Sequence, residues 1–69
     1  MALPTLEIIV SALLGAEFVE GNSYLMRAPL HDGLYVERAP SELFYAVKTA
    51  CGEIVAFGNL PSFPCGTAQ

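Results

Sequence analysis

Turn signals cut this chain into short pieces. Gly15, Gly21-Asn22, His31-Asp32-Gly33, Ala39-Pro40-Ser41 and Ala50-Cys51-Gly52 interrupt it, and no stretch between them has room for more than a short helix or a single strand. Large layered folds are excluded by that punctuation alone. Consecutive hairpins are what it favours.

The first piece is ambiguous. In Thr5–Gly15, Thr5 fits an N-cap and Glu7 suits the positive end of the helix dipole. Leu6, Ile9, Val10 and Leu13 make one stripe, and Gly15 fits the C-cap. The strand reading alternates Leu6, Ile8, Val10, Ala12 and Leu14 through a β-branched run. Coinciding start and stop signals favour the helix. If residues 5–14 are instead a strand, the fold is a small all-β barrel or sandwich.

The later pieces pair as hairpins. Gly21-Asn22 reads as a two-residue loop between Ala16–Glu20 and Ser23–Arg27. A three-residue loop at His31–Gly33, with Gly33 left-handed, sets Leu30 opposite Leu34 and Arg27 opposite Glu37, an opposite-charge pair across the ladder. A loop at Ala50-Cys51-Gly52 pairs Thr49 with Glu53, Lys48 with Ile54, Val47 with Val55, Ala46 with Ala56 and Tyr45 with Phe57. The rival for this last stretch is a second helix over 41–51, capped by Ser41 and ended by Gly52. The expected fold is α+β: an N-terminal helix on a four- to five-stranded antiparallel sheet, one domain over 1–60. Residues 61–69 follow as a Pro- and Gly-containing tail, with Phe63 as its anchor.

Catalytic signals are few. Cys51 sits in a turn, or at the C-terminal end of the rival helix, which is the wrong end of the dipole for activating a thiol, so an incidental thiol is the expectation. Cys51 and Cys65 allow one disulfide and no framework. His31 beside Asp32 lacks the convergent ligands a metal needs, and reads as turn surface. The serines lack a glycine-flanked nucleophile context, and no Gly-rich phosphate loop occurs. The expectation is a protein that is not an enzyme and uses no cofactor and no metal. A small ligand- or metal-binding protein using His31, Cys51 and Cys65 is one alternative.

Composition enters here. A chain of 69 residues buries only about 60% of its unfolded surface. This one is 54% hydrophobic and 14% charged, more apolar than its interior can shelter, which points to a covered interface. Tyr24, Tyr35, Tyr45 and Phe57 are the interface candidates, since such side chains bury area on docking. The net charge of −4 with three cations disfavours direct nucleic-acid binding. The acids Glu17, Glu20, Asp32, Glu37, Glu42 and Glu53 are candidates for an acidic surface, and the second alternative is a nucleic-acid mimic that needs at least four of them on one face.

Leu6–Val19 is too short to span a bilayer and lacks a basic leader, so a cytoplasmic location, in a cell or an infected host, and no membrane association are expected. The leading functional expectation is a small acidic protein-binding module, self-associating into an oligomer or occluding a larger protein partner. Inhibitors of the kind mobile elements encode belong to that class.

Overall fold

The computed structural model describes residues 3–60, and the 61–69 tail, with Phe63 and Cys65, lies outside the described residues. Helix α1 (Leu6–Leu14) is followed by strands β1 (Glu17–Val19), β2 (Asn22–Pro29), β3 (Tyr35–Arg38), β4 (Phe44–Lys48) and β5 (Ile54–Asn59). The strands form one antiparallel sheet in the order β1-β2-β3-β4-β5, with α1 packed against β2 and β3. The architecture is α+β, and the sheet is open rather than closed, which removes the barrel alternative.

The helix forms where its caps are. The Thr5 hydroxyl accepts the Ile8 amide at 3.3 Å, and the Gly15 amide donates to the Ala12 carbonyl at 3.1 Å. Its stripe is narrower than the sequence pattern suggested. Ile9 and Leu13 are buried and Val10 half-buried, whereas Leu6 is exposed. Ile9 and Leu13 join Ala28, Leu34, Val36, Val47 and Leu60, and these seven side chains are the buried core among the described residues.

The 41–51 helix is overturned. Residues 44–48 are strand β4, because Tyr45 and Val47 pack on the helix side while Phe44, Ala46 and Lys48 take the other, a two-residue period that a helix would break. The His31–Gly33 loop forms in the expected register: the Leu30 amide donates to the Leu34 carbonyl at 2.8 Å, and Arg27 lies opposite Glu37. Asp32 (φ 59°) shares the left-handed conformation with Gly33 (φ 73°), which a short polar side chain tolerates.

Two registers differ from expectation. The first hairpin turns on Glu20-Gly21, with Val19 opposite Asn22, not on Gly21-Asn22. Gly21 takes the positive φ of 81°, and the Asn22 side chain accepts the Tyr24 amide at 2.9 Å, which holds Asn22 inside β2. In the last hairpin, Thr49 does meet Glu53 and Lys48 meets Ile54. A bulge at Val55 then shifts the rest: Val47 pairs with Ala56, Ala46 with Phe57, and Tyr45 with Gly58. Gly58 explains the slip. A Cβ there would lie 3.0 Å from the Tyr45 hydroxyl oxygen and 3.3 Å from Cζ, so the ring occupies the space the glycine leaves.

So small a core makes each member count. Leu13→Ala should lose about 2–5 kcal/mol, out of a total of about 3–10 kcal/mol for a chain of this size. The exposed Leu14→Ala should stay within about 0.5 kcal/mol. Urea unfolding of both variants checks this, and equal losses at the two positions would contradict the packing described.

Candidate protein-binding face

The helix packs on one side of the sheet. The other side carries, across the strands, Glu17, Arg27, Glu37, Ala46 and Phe57, with Tyr35, Lys48, Phe44 and Ile54 in flanking rows. At its centre is an ion triad. Glu37 accepts from Arg27 Nε at 2.9 Å and from its Nη2, while Lys48 Nζ reaches the other carboxylate oxygen at 2.7 Å. Glu37 is only 5% exposed although no element of the described fold lies over it. The two cations do the covering, since long basic side chains lay their aliphatic stems along a surface and keep the charge at the tip. Arg27 also stacks on the Tyr35 ring, its guanidinium carbon 4.5 Å from the centroid.

Burial pushes the Glu37 carboxyl up; the hydrogen bonds from Lys48 and Arg27 and their charges pull it down and win, leaving it below the usual carboxylate range. The same bond to Glu37 raises Arg27. Both carboxylate oxygens are engaged and the group stays ionised, which makes it a weak base and an occupied acceptor. Its role is to fix two positive charges in place at the centre of the open face.

That face is shaped. A depression of about 250 Å³ lies over Glu37, bordered by Leu25, Phe44, Ala46 and Ile54 and by the charged Lys48 and Glu42. Beside it Phe44 and Phe57 touch, with ring centroids 6.0 Å apart. A second depression of about 380 Å³ runs along Glu17, Arg27, Pro29 and Tyr35.

The four aromatic candidates separate. Tyr35 and Phe57 lie on the open face, Phe57 at 67% exposure. Tyr45 is on the helix side against Gly58, and Tyr24, 81% exposed, stands near the first turn. The acids separate too. Glu17 and Glu37 lie on the open face, Glu20 and Glu42 stand at one end of the sheet where they border its two depressions, and Asp32 and Glu53 lie at the opposite end. Glu37 differs from the expected surface acid because Lys48, from β4, joins Arg27 in closing over it. His31 Nδ1 lies 3.1 Å from Asp32 Oδ2, and Cys51 is an exposed free thiol. No group of three His, Cys, Asp or Glu side chains among the described residues is placed to hold a metal ion. A Cys51–Cys65 bridge lies outside the described residues.

Sequence reasoning found the Arg27–Glu37 pair but missed Lys48 and Phe44 as members of the same face. No protein-family model matches the chain, and no curated protein or solved structure matches it either. The functional reading therefore rests on this face.

The triad makes two linked predictions. Removing both cations in Arg27→Ala/Lys48→Ala should cost more stability than Glu37→Gln, because it strands a buried carboxylate, whereas the amide leaves two cations that can turn to water. The Glu37→Gln loss should be about 1–2 kcal/mol. Glu37 has a lowered folded pKa, so its contribution is full above its unfolded pKa of about 4.3 and is lost as pH falls through the folded value. Unfolding free energies measured from neutral to acid pH should fall less steeply for Glu37→Gln than for the natural chain. Parallel curves would remove Glu37 from the acid response.

Proposed function

We propose that this protein is a non-enzymatic binding module that presents the open face of its sheet to a larger protein partner in the cytoplasm. One observation carries the reading. A five-stranded sheet is packed on one side only, and its other side combines a pre-ordered ion triad with exposed Phe44, Ile54 and Phe57. Apolar anchors around a small number of fixed polar groups is the anatomy of a protein interface. The triad supports the same conclusion energetically. Its side chains are already ordered before docking, so less conformational freedom is lost on binding.

Occlusion of a partner's working surface, as small inhibitors do, fits a compact slab 17 Å across its thin dimension. Nucleic-acid mimicry is the second reading: Glu17, Glu20, Glu37 and Glu42 border the two depressions of the open face, but Glu37 is neutralised there by Arg27 and Lys48, and Asp32 and Glu53 lie at the far end of the sheet. Among the described residues no helix is long and apolar enough to cross a membrane.

Quantitative capture from extracts of the native source, read by mass spectrometry, tests the proposal with variants. Phe44→Asp on the open face should abolish capture of the partner, and Leu14→Asp on the outer side of α1 should leave it unchanged, with both variants folded by circular dichroism. Capture that survives Phe44→Asp but not Leu14→Asp would move the binding surface to the helix and overturn the reading.

A further inference from the structure

We infer that the open face receives a basic protein surface, one that lays a lysine or arginine side chain in each of the two depressions with the charged heads at Glu20 and Glu42. The inference rests on the binding reading and adds the partner's chemistry to it.

The centre of the face is balanced. Arg27 lies between Glu17 and Glu37 on the neighbouring strands, and Lys48 reaches Glu37 from the far side, so two cations meet two carboxylates. The charges left over are Glu20 and Glu42, one beside each depression. Both are exposed, and neither enters an ion pair among the described residues. The chain's third cation, Arg38, is buried and donates to the Pro40 carbonyl at 3.0 Å. Positive charge for these two acids therefore has to come from another molecule.

The walls say what kind of side chain brings it. Val19, Pro29 and the Tyr35 ring border the larger depression, with Glu20 in the turn beside them. Leu25, Phe44 and Ile54 border the smaller, with Glu42 in the loop beside them. Apolar walls with a carboxylate alongside suit an aliphatic stem that ends in a cation, which lysine and arginine have. Both acids are set by tight turns. Gly21, at φ 81°, closes the turn after Glu20, and the Glu42 amide donates to the Ala39 carbonyl at 3.0 Å. The β1–β2 turn and the β3–β4 loop stand two strand spacings apart, which puts the two cationic heads about 10 Å from each other.

Charge also excludes the other occupants. A second copy brings the same acids and a net charge of −4 against this one. Residues 61–69 carry no charged side chain. A nucleic acid or an anionic membrane adds negative charge where two carboxylates already lack a counterion.

Selection of displayed random peptides on the natural full chain tests this with a defined probe. The selected peptides should be enriched in Lys and Arg next to aromatic or aliphatic residues, relative to the unselected library. Glu20→Lys/Glu42→Lys should weaken them about tenfold or more, because two attractions become repulsions. Asp32→Lys/Glu53→Lys changes the net charge equally at the opposite end of the sheet and should weaken them far less. A further measurement needs no variant: about 1 M salt, which screens charges beyond about 3 Å, should weaken binding to the natural chain about tenfold. Selected peptides without a Lys or Arg excess overturn the inference, as does a library that yields no binder. Equal losses in the two double variants overturn it too, since they would show attraction to net charge alone. Phe44→Asp separates the two readings. Peptides lost with Phe44→Asp but free of any basic excess leave the open-face reading standing and remove this one. Basic peptides that need Glu20 and Glu42 but tolerate Phe44→Asp do the reverse.

Discussion

A helix of nine residues is about 13 Å long, whereas five strands at about 4.8 Å spacing span about 19 Å between the outer two. The helix cannot cover even one side of its sheet, and it packs chiefly against β2 and β3. The consequences reach every layer. The core is confined to the seven side chains near that contact, and Tyr45 must lie over Gly58 to close the helix side toward β5. The opposite side receives no backbone element of the described fold. A chain with more apolar residues than this geometry can enclose must leave some of them outside: Phe44, Ile54 and Phe57 surface on the open face, and Leu6, Ile8 and Leu14 on the outer side of the helix.

The triad is the molecule's local answer to a bare sheet. A glutamate at the centre of an uncovered face would ordinarily stay hydrated. Here Arg27 from β2 and Lys48 from β4 flank it on neighbouring strands, so three adjacent strands each supply one member. The charges neutralise one another while the alkyl stems shield the backbone beneath. Breaking a buried ion set by removing one side of it is costly, but replacing the whole set with hydrophobic residues of similar size would be tolerated thermodynamically. It would also widen an apolar face that is already large. The triad is thus better understood as fixing the shape and polarity of the face than as a source of stability.

What the sequence revealed and what it concealed divide along loop length. The β2–β3 hairpin was legible because a three-residue loop fixes its register, and that register brought Arg27 to Glu37. Lys48 was not legible as the third member. It reaches Glu37 only through the β3–β4 pairing, and five residues separate Arg38 from Phe44, too many for turn chemistry to set a register. The start of the last hairpin was readable from Gly52, yet its bulge was not, because the cause is a tertiary contact between Tyr45 and Gly58. Two good cross-strand pairs, Val47–Val55 and Tyr45–Phe57, gave way to one ring over one glycine. The helix was readable from its caps, but the sequence stripe did not show that Leu6 would stay outside, since that depends on where a short helix ends relative to the sheet.

The cations complete the argument about partners. Arg27 and Lys48 are committed to Glu37, and Arg38, on the helix side, is buried and donates to the Pro40 carbonyl at 3.0 Å. All three positive side chains of the chain are therefore turned to internal work, while Glu20, Asp32, Glu42 and Glu53 stand exposed at the two ends. A phosphate backbone needs several cations that can leave their partners; drawing Arg27 and Lys48 away would expose a carboxylate that exists folded only because they cover it. A partner that accepts the triad intact and meets the apolar rim faces no such cost. This supports a protein surface over a nucleic acid as what the open face receives, and it explains how so acidic a chain can dock through a region whose net charge is near neutral.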